Sequence, residues 1–191
     1  MLLICSSCLG FQTISDITAG GIDVLSDYDA YNIELPLEMT SAASNSKLFG
    51  NASSEIVSLF TEANYTTNWH HYGVSPENFT KYLENDMVIL STNVDKQGLR
   101  FISTMEHKTL PIYATQWHPE ANAHDRDHVT VNPSHEAVQA MQYLAAFFVQ
   151  EARVKGLGPG DAGLTNDFLV DIELYPLLPV ANSTSMKYNF I

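Results

Sequence analysis

Positive charge is what this sequence has least of. Nine lysines and arginines stand against 22 aspartates and glutamates, for a formal charge of −13. No basic stripe exists to neutralise a phosphate backbone or an anionic membrane surface, so nucleic-acid and membrane partners are excluded as expectations. Long apolar runs are absent too: none approaches the roughly 20 residues that span a bilayer. Met1-Leu2-Leu3-Ile4 is too short for a signal-peptide core and has no charged flank. The two cysteines, Cys5 and Cys8, are too few for a thiolate zinc site. The spaced pair His124 and His128 lacks the glutamate of a H-E-x-x-H helix, so it reads as a solvated loop. Neither a metal nor an organic cofactor is expected.

The rest is ordinary globular material. With 45% apolar and 16% charged residues over 191 positions, residues 1–191 are expected to form a single domain with its own core. Leu2 to Cys5 reads as a buried strand, with Cys5 a small packing residue on it. Phe11, Ile14 and Ile17 have helical spacing, and Gly20-Gly21 stop that helix. A strand is expected at Ile33–Leu37 and a short helix at Glu55–Phe60. Ser75-Pro76 opens another helix, with serine as N-cap and proline at N1. Met87–Thr92 and Leu99–Met105 read as a hairpin around Asp95–Gly98. A strand from Leu110 ends at His118-Pro119. Pro133 to about Arg153 makes a long helix whose apolar face holds Ala137, Ala140, Met141, Leu144, Phe147 and Phe148. Gly156–Gly160 breaks it. Phe168–Val170 and the terminal Tyr188–Ile191 are β-prone.

The chemistry concentrates in two places. Cys8 falls at a strand-to-helix junction, where exposed N–H groups at the helix start favour a thiolate and the turn lifts the side chain clear of the sheet. Ser6 and Gly10 flank it at −2 and +2, as a crowded elbow requires. The Leu9 N–H is a candidate oxyanion donor. A thiol nucleophile needs a base and the base an orienter. His118 stands where a buried strand ends, and Glu120, two residues on, projects to its side while the chain stays extended. A redox pair Cys5-x-x-Cys8 is the rival reading, although no proline or glycine separates the cysteines. Asn68-Trp69-His70-His71-Tyr72 is a further cluster, read either as interface packing or as a pocket wall donating to a carboxylate. Four N-x-S/T tripeptides, at Asn51, Asn64, Asn78 and Asn182, are glycosylation candidates and lean toward a secretory or lysosomal product.

These stretches resemble one family. Ser7-Cys8-Leu9-Gly10-Phe11-Gln12 is similar to the nucleophile segment of the γ-glutamyl hydrolases. Asn68-Trp69-His70-His71-Tyr72 with Asn78-Phe79-Thr80 resembles their N-F-H-x-W…N-F-T segment. Phe101-Ile102-Ser103-Thr104-Met105-Glu106 and Tyr113-Ala114-Thr115-Gln116-Trp117-His118-Pro119-Glu120 resemble their F-I-S-T-M-E…Q-W-H-P-E run. The nucleophile and H-P-E segments alone would fit any class I glutamine amidotransferase-like domain.

The resemblance implies a three-layer α/β, flavodoxin-like fold and cleavage of γ-glutamyl amide bonds, notably in folate poly-γ-glutamates. It implies Cys8 as nucleophile, His118 as acid/base, Glu120 as its orienter and His70 as a holder of the γ-glutamyl group. Leu9 and Gly10 would complete the substrate contacts. A lysosomal, vacuolar or secreted location is implied, with a small-molecule substrate and room for a homodimer. Ser6 departs from the family's glycine. The family also carries strands and helices ahead of the nucleophile that this sequence does not contain, so a shortened product is expected. An inactive family member and a glutaminase domain serving a synthase are the competing readings.

Overall fold

The computed structural model describes residues 3–124, 130–154, 178–179 and 186–187. Strand β1 (Ile4–Ser7) runs into helix α1 (Leu9–Thr18) through Cys8. α1 ends where Gly20 takes φ 74°, a left-handed conformation cheap only for glycine. There the N–H of Gly20 donates to Ile17 O and that of Gly21 to Asp16 O, closing the helix carbonyls. β2 (Leu25–Leu35) and β3 (Glu38–Met39) follow, then α2 (Ser54–Glu62), β4 (Thr66–Val74) and α3 (Pro76–Tyr82). Ser53 and Ser75 cap α2 and α3, accepting from the N–H groups of Ile56 and Asn78, with Pro76 at the first turn. β5 (Met87–Val94), β6 (Arg100–His107) and β7 (Ile112–Thr115) lead to the short α4 (Ala121–His124) and the long α5 (His135–Val154). A last antiparallel pair joins β8 (Leu178–Pro179) to β9 (Met186–Lys187).

The central sheet has the order β1-β7-β6-β5-β3. β1 pairs parallel with β7, and the remaining pairings are antiparallel. Tyr113 and Ala114, neighbours on β7, belong to opposite cores. Tyr113 joins Phe60, Leu90, Trp117, Ala140, Met141 and Leu144 beneath α2 and α5. Ala114 joins Phe11, Phe79, Ile102 and Met105 beneath α1 and α3. A sheet covered on both faces by helices is the three-layer α/β arrangement expected. A separate antiparallel ribbon, β2 with β4, lies beside it and carries two register shifts, at Asp27/Ala30 and Tyr31/Ile33.

Several expectations change here. β1 is an edge strand bonded only to β7, so Cys5 is exposed instead of buried. On α5, Ala137, Ala140, Met141 and Leu144 are buried, but Phe148 remains 39% exposed at the outer limit of the stripe. The expected strand at Ile33–Leu37 is the end of the longer β2, and Pro36 lies just beyond it. The residues around His70, given no element above, form β4. His124 closes α4, whereas His128, Gly156–Gly160, Phe168–Val170, Asn182 and Tyr188–Ile191 lie outside the described residues. Among the described residues, no helix is long and apolar enough to cross a membrane, and no group of three or more potential ligands could hold a metal.

Candidate active site

The site forms where two neighbouring parallel strands end. Register pairs Ser7 with Thr115, and the Cys8 N–H donates to Thr115 O at 2.9 Å, carrying the ladder one residue further. Cys8 then turns with φ 47° and ψ −106°, a region costly for a residue with a Cβ. This strained turn starts α1 and lifts the thiol off the sheet, as the sequence predicted for an elbow. The crowding is measurable: a Cβ at Gly10 would stand 2.9 Å from Ser6 Cβ. The Ser6 hydroxyl is buried with no hydrogen-bond partner among the described residues. Leu9, at the first position of α1, has its side chain 71% exposed; its N–H is among those a helix start leaves without an intrahelical acceptor.

The chain beyond β7 is anchored at every residue. Gln116 N–H donates to Ser103 O at 2.8 Å. Trp117 is fully buried and its Nε1–H donates to Thr104 Oγ1 at 3.1 Å. His118 N–H donates to Thr67 O on β4 at 2.9 Å. The His118 ring lies 5.0 Å from that of Trp69, tilted by 46°. Its Nδ1 is 2.6 Å from Glu120 Oε1. The approach comes through a turn at Pro119-Glu120 and not through the extended chain expected.

With Nδ1 on Glu120, the other ring nitrogen is left for Cys8. Burial opposes the charge on His118, but the hydrogen bonds its protonated ring gives toward Cys8 Sγ and the Glu120 carboxylate, with the attraction of negative charge at both, push its pKa up to about 9. Burial likewise acts against the Glu120 carboxylate, and His118 outweighs it, holding that carboxyl below its usual range. Cys8, His118 and Glu120 are therefore one coupled group, able to hold an imidazolium between a thiol sulfur and a carboxylate.

His70 does not join them. Its ring is 3% exposed. Nδ1 lies 2.9 Å from Tyr72 O and Nε2 3.2 Å from Asn68 Oδ1, while Phe101 packs edge-on at 4.9 Å. Burial is the main cause that pushes its pKa down to about 4. Both nitrogens face oxygens of β4 itself, Tyr72 O and Asn68 Oδ1. Among the sequons, Asn51 and Asn64 are exposed, whereas the Asn78 amide donates to Val24 O at 2.9 Å and faces Ser26 Oγ at 3.4 Å.

Two contributors escaped the sequence reading. Gln12 on α1, one turn beyond Cys8, donates from Nε2 to Tyr72 O at 2.9 Å and ties α1 to β4. Its place in the Cys-Leu-Gly-Phe-Gln run was the available signal. Glu34 on β2 accepts from three donors around the His118 loop, and no local pattern marks it.

The class-I glutamine amidotransferase family model matches residues 6–135. The chain is 38% identical over 152 residues to γ-glutamyl hydrolase B of Dictyostelium discoideum, covering 77% of this chain and 43% of that protein. It is 36% identical to the mouse γ-glutamyl hydrolase and 34% identical to the human one, covering 77% of this chain and 47% and 46% of theirs. The chain thus spans less than half the length of these curated relatives. The strained turn at Cys8, the H-P-E turn and the three-layer sheet lie within or beside the matched segment, and the chain belongs to the class-I glutamine amidotransferase family.

Proposed function

We propose that this chain carries the reactive centre of a γ-glutamyl hydrolase, with folate poly-γ-glutamates as substrates. The observation that carries the reading is the strained Cys8 turn, bonded to the end of β7, beside the chain that bears the 2.6 Å His118–Glu120 pair. The names of the similar proteins give it direction. The Cys8 sulfur attacks the γ-carbonyl carbon, and the oxyanion is met by the Leu9 N–H. The C–N bond breaks as His118 gives its proton to the leaving amine, and a thioester remains on Cys8. Water then loses a proton to His118 and attacks the thioester carbon; the C–S bond breaks and the γ-carboxylate leaves. Glu120 holds the ring orientation through both halves. The exposed sequons Asn51 and Asn64 support a lysosomal, vacuolar or secreted setting.

The test is glutamate release from a synthetic poly-γ-glutamate. Cys8→Ala and His118→Asn should each lower kcat by at least about a thousandfold, and Glu120→Gln by roughly ten- to a hundredfold. Retained turnover in either of the first two variants would sink the proposal. The family model favours one alternative, a glutaminase. Glutamine hydrolysis faster than poly-γ-glutamate hydrolysis by the same preparation would select it.

A further inference from the structure

Behind His118, three separated segments converge on one oxygen carried by a fourth. Glu34 Oε1 accepts from the Thr67 hydroxyl at 3.0 Å, the Asn132 N–H at 2.9 Å and the Asn122 amide at 3.4 Å. Asn122 also donates to Asn132 O at 2.9 Å, so the two are tied to each other as well as to Glu34. Thr67 and Asn122 are fully buried. Both adjoin the reactive group: the Thr67 carbonyl takes the His118 N–H, and Asn122 lies two residues beyond Glu120. Two positions back on β2, Asn32 accepts from the Thr130 hydroxyl at 2.6 Å. The edge of β2 thus receives the chain that returns after α4.

We infer that Glu34 is a positioning residue for the His118–Glu120 pair, its carboxylate fixing the loop that carries them against β4. The inference rests on the reading of Cys8 and His118 as a reactive pair. A carboxylate suits the place because one oxygen must accept from several donors without donating in return. A hydroxyl or an amide nitrogen there would present a proton to one of them. Removing the group would leave Asn122 and the Asn132 N–H, at the base of the loop, without this acceptor. His118 would keep its ring but lose the fixed distance to Cys8. A misplacement of about 1 Å at a reacting group costs up to roughly a hundredfold in rate.

The experiment uses the full chain in a Cys5→Ser background, so that Cys8 is the sole thiol. Alkylation by iodoacetamide is followed across pH 4–9, alongside poly-γ-glutamate turnover. Glu34→Ala should lower kcat roughly tenfold with KM changed by less than about twofold. Alkylation should slow about threefold at neutral pH, because the His118 ring no longer stands fixed beside the sulfur. Glu34→Gln keeps an accepting oxygen and should restore most of both. Thr67→Val, which keeps the carbonyl that holds His118, should fall between them and guards against a Glu34→Ala chain that folds poorly. An alkylation profile unchanged in Glu34→Ala and in Thr67→Val, with only the melting temperature lowered, overturns the inference. His118→Asn separates the two readings. If its profile matches the parent's, Cys8 and His118 are not paired, and the inference falls with that pairing.

Discussion

Ser6 and Gly10 define the tolerance of the elbow. A methyl at Gly10 would meet Ser6 Cβ at 2.9 Å, and neither the strand nor the first helical turn can yield without moving Cys8. Overpacking of this kind costs about 1–3 kcal/mol. Gly10→Ala should therefore lower stability by that amount and reduce Cys8 reactivity. Ser6→Gly removes both the obstructing Cβ and a buried hydroxyl that lacks a partner, offset by roughly 0.5–1 kcal/mol of backbone entropy. It should be close to neutral alone and should recover most of the loss when combined with Gly10→Ala. A coupling below about 0.5 kcal/mol in a denaturation double-mutant cycle would show that the two positions do not share the space. The serine found where the γ-glutamyl hydrolases carry glycine thus fits, provided residue 10 stays bare.

Among elements, β6 holds the segment between β3 and α2 through one side chain. Glu106, 7% exposed, accepts from the N–H of Lys47 on Oε1 and of Leu48 on Oε2, each at 3.1 Å. Those bonds seat Leu48 and Phe49 in the core beneath α2 and α5. Glu106→Ala should lose roughly 1–3 kcal/mol, since the buried Leu48 N–H is orphaned and the partly buried Lys47 N–H loses its acceptor. Glu106→Gln should lose about half as much, because its amide nitrogen faces one of the N–H groups. Equal urea midpoints for Ala and Gln would refute this account.

Legibility in the sequence follows the same division into elements. The β5–β6 hairpin, the short α2, the capped start of α3 and the stripe of α5 were readable because each signal is local: alternation, a serine cap, helical spacing; the Ser53 cap of α2 was not read. His118 was readable from the Q-W-H-P-E run, although the strand expected to reach it from Leu110, β7, already ends at Thr115. The β2–β4 ribbon was not. Its shifts at Asp27/Ala30 and Tyr31/Ile33 break the period of two that would announce a strand. Cys5 was misjudged for a related reason: apolar neighbours cannot reveal that β1 is bonded on one side only. Glu34 was invisible, since its partners at 67, 122 and 132 meet only once the ribbon has docked.

For the whole molecule, two histidines pull stability in opposite directions with pH. His118, pushed up to about 9, binds its proton more tightly folded than unfolded. Its contribution is complete below the ordinary histidine value of about 6.5 and is lost as pH rises through 9. His70, pushed down to about 4, is buried neutral. Its contribution is complete above about 6.5 and is lost as pH falls toward 4. The two windows meet near pH 6.5, where the denaturation midpoint should be highest. His118→Asn should flatten the alkaline limb and spare the acid one. If the alkaline limb keeps its slope in that variant, the Cys8–His118–Glu120 coupling contributes nothing to folding.

The pairing of β1 with β7 carries a consequence in time. Residues 4–7 bond to residues 112–115, so the proposed nucleophile and base become neighbours only after the chain between them has closed on itself. Loop closure over such a distance is slow relative to a local hairpin such as β5–β6. A slip of one residue in that pairing would move the thiol by about 3.3 Å and turn it to the other face. The pairing of Cys8 with His118 in the proposed mechanism therefore waits until residue 118 has been made.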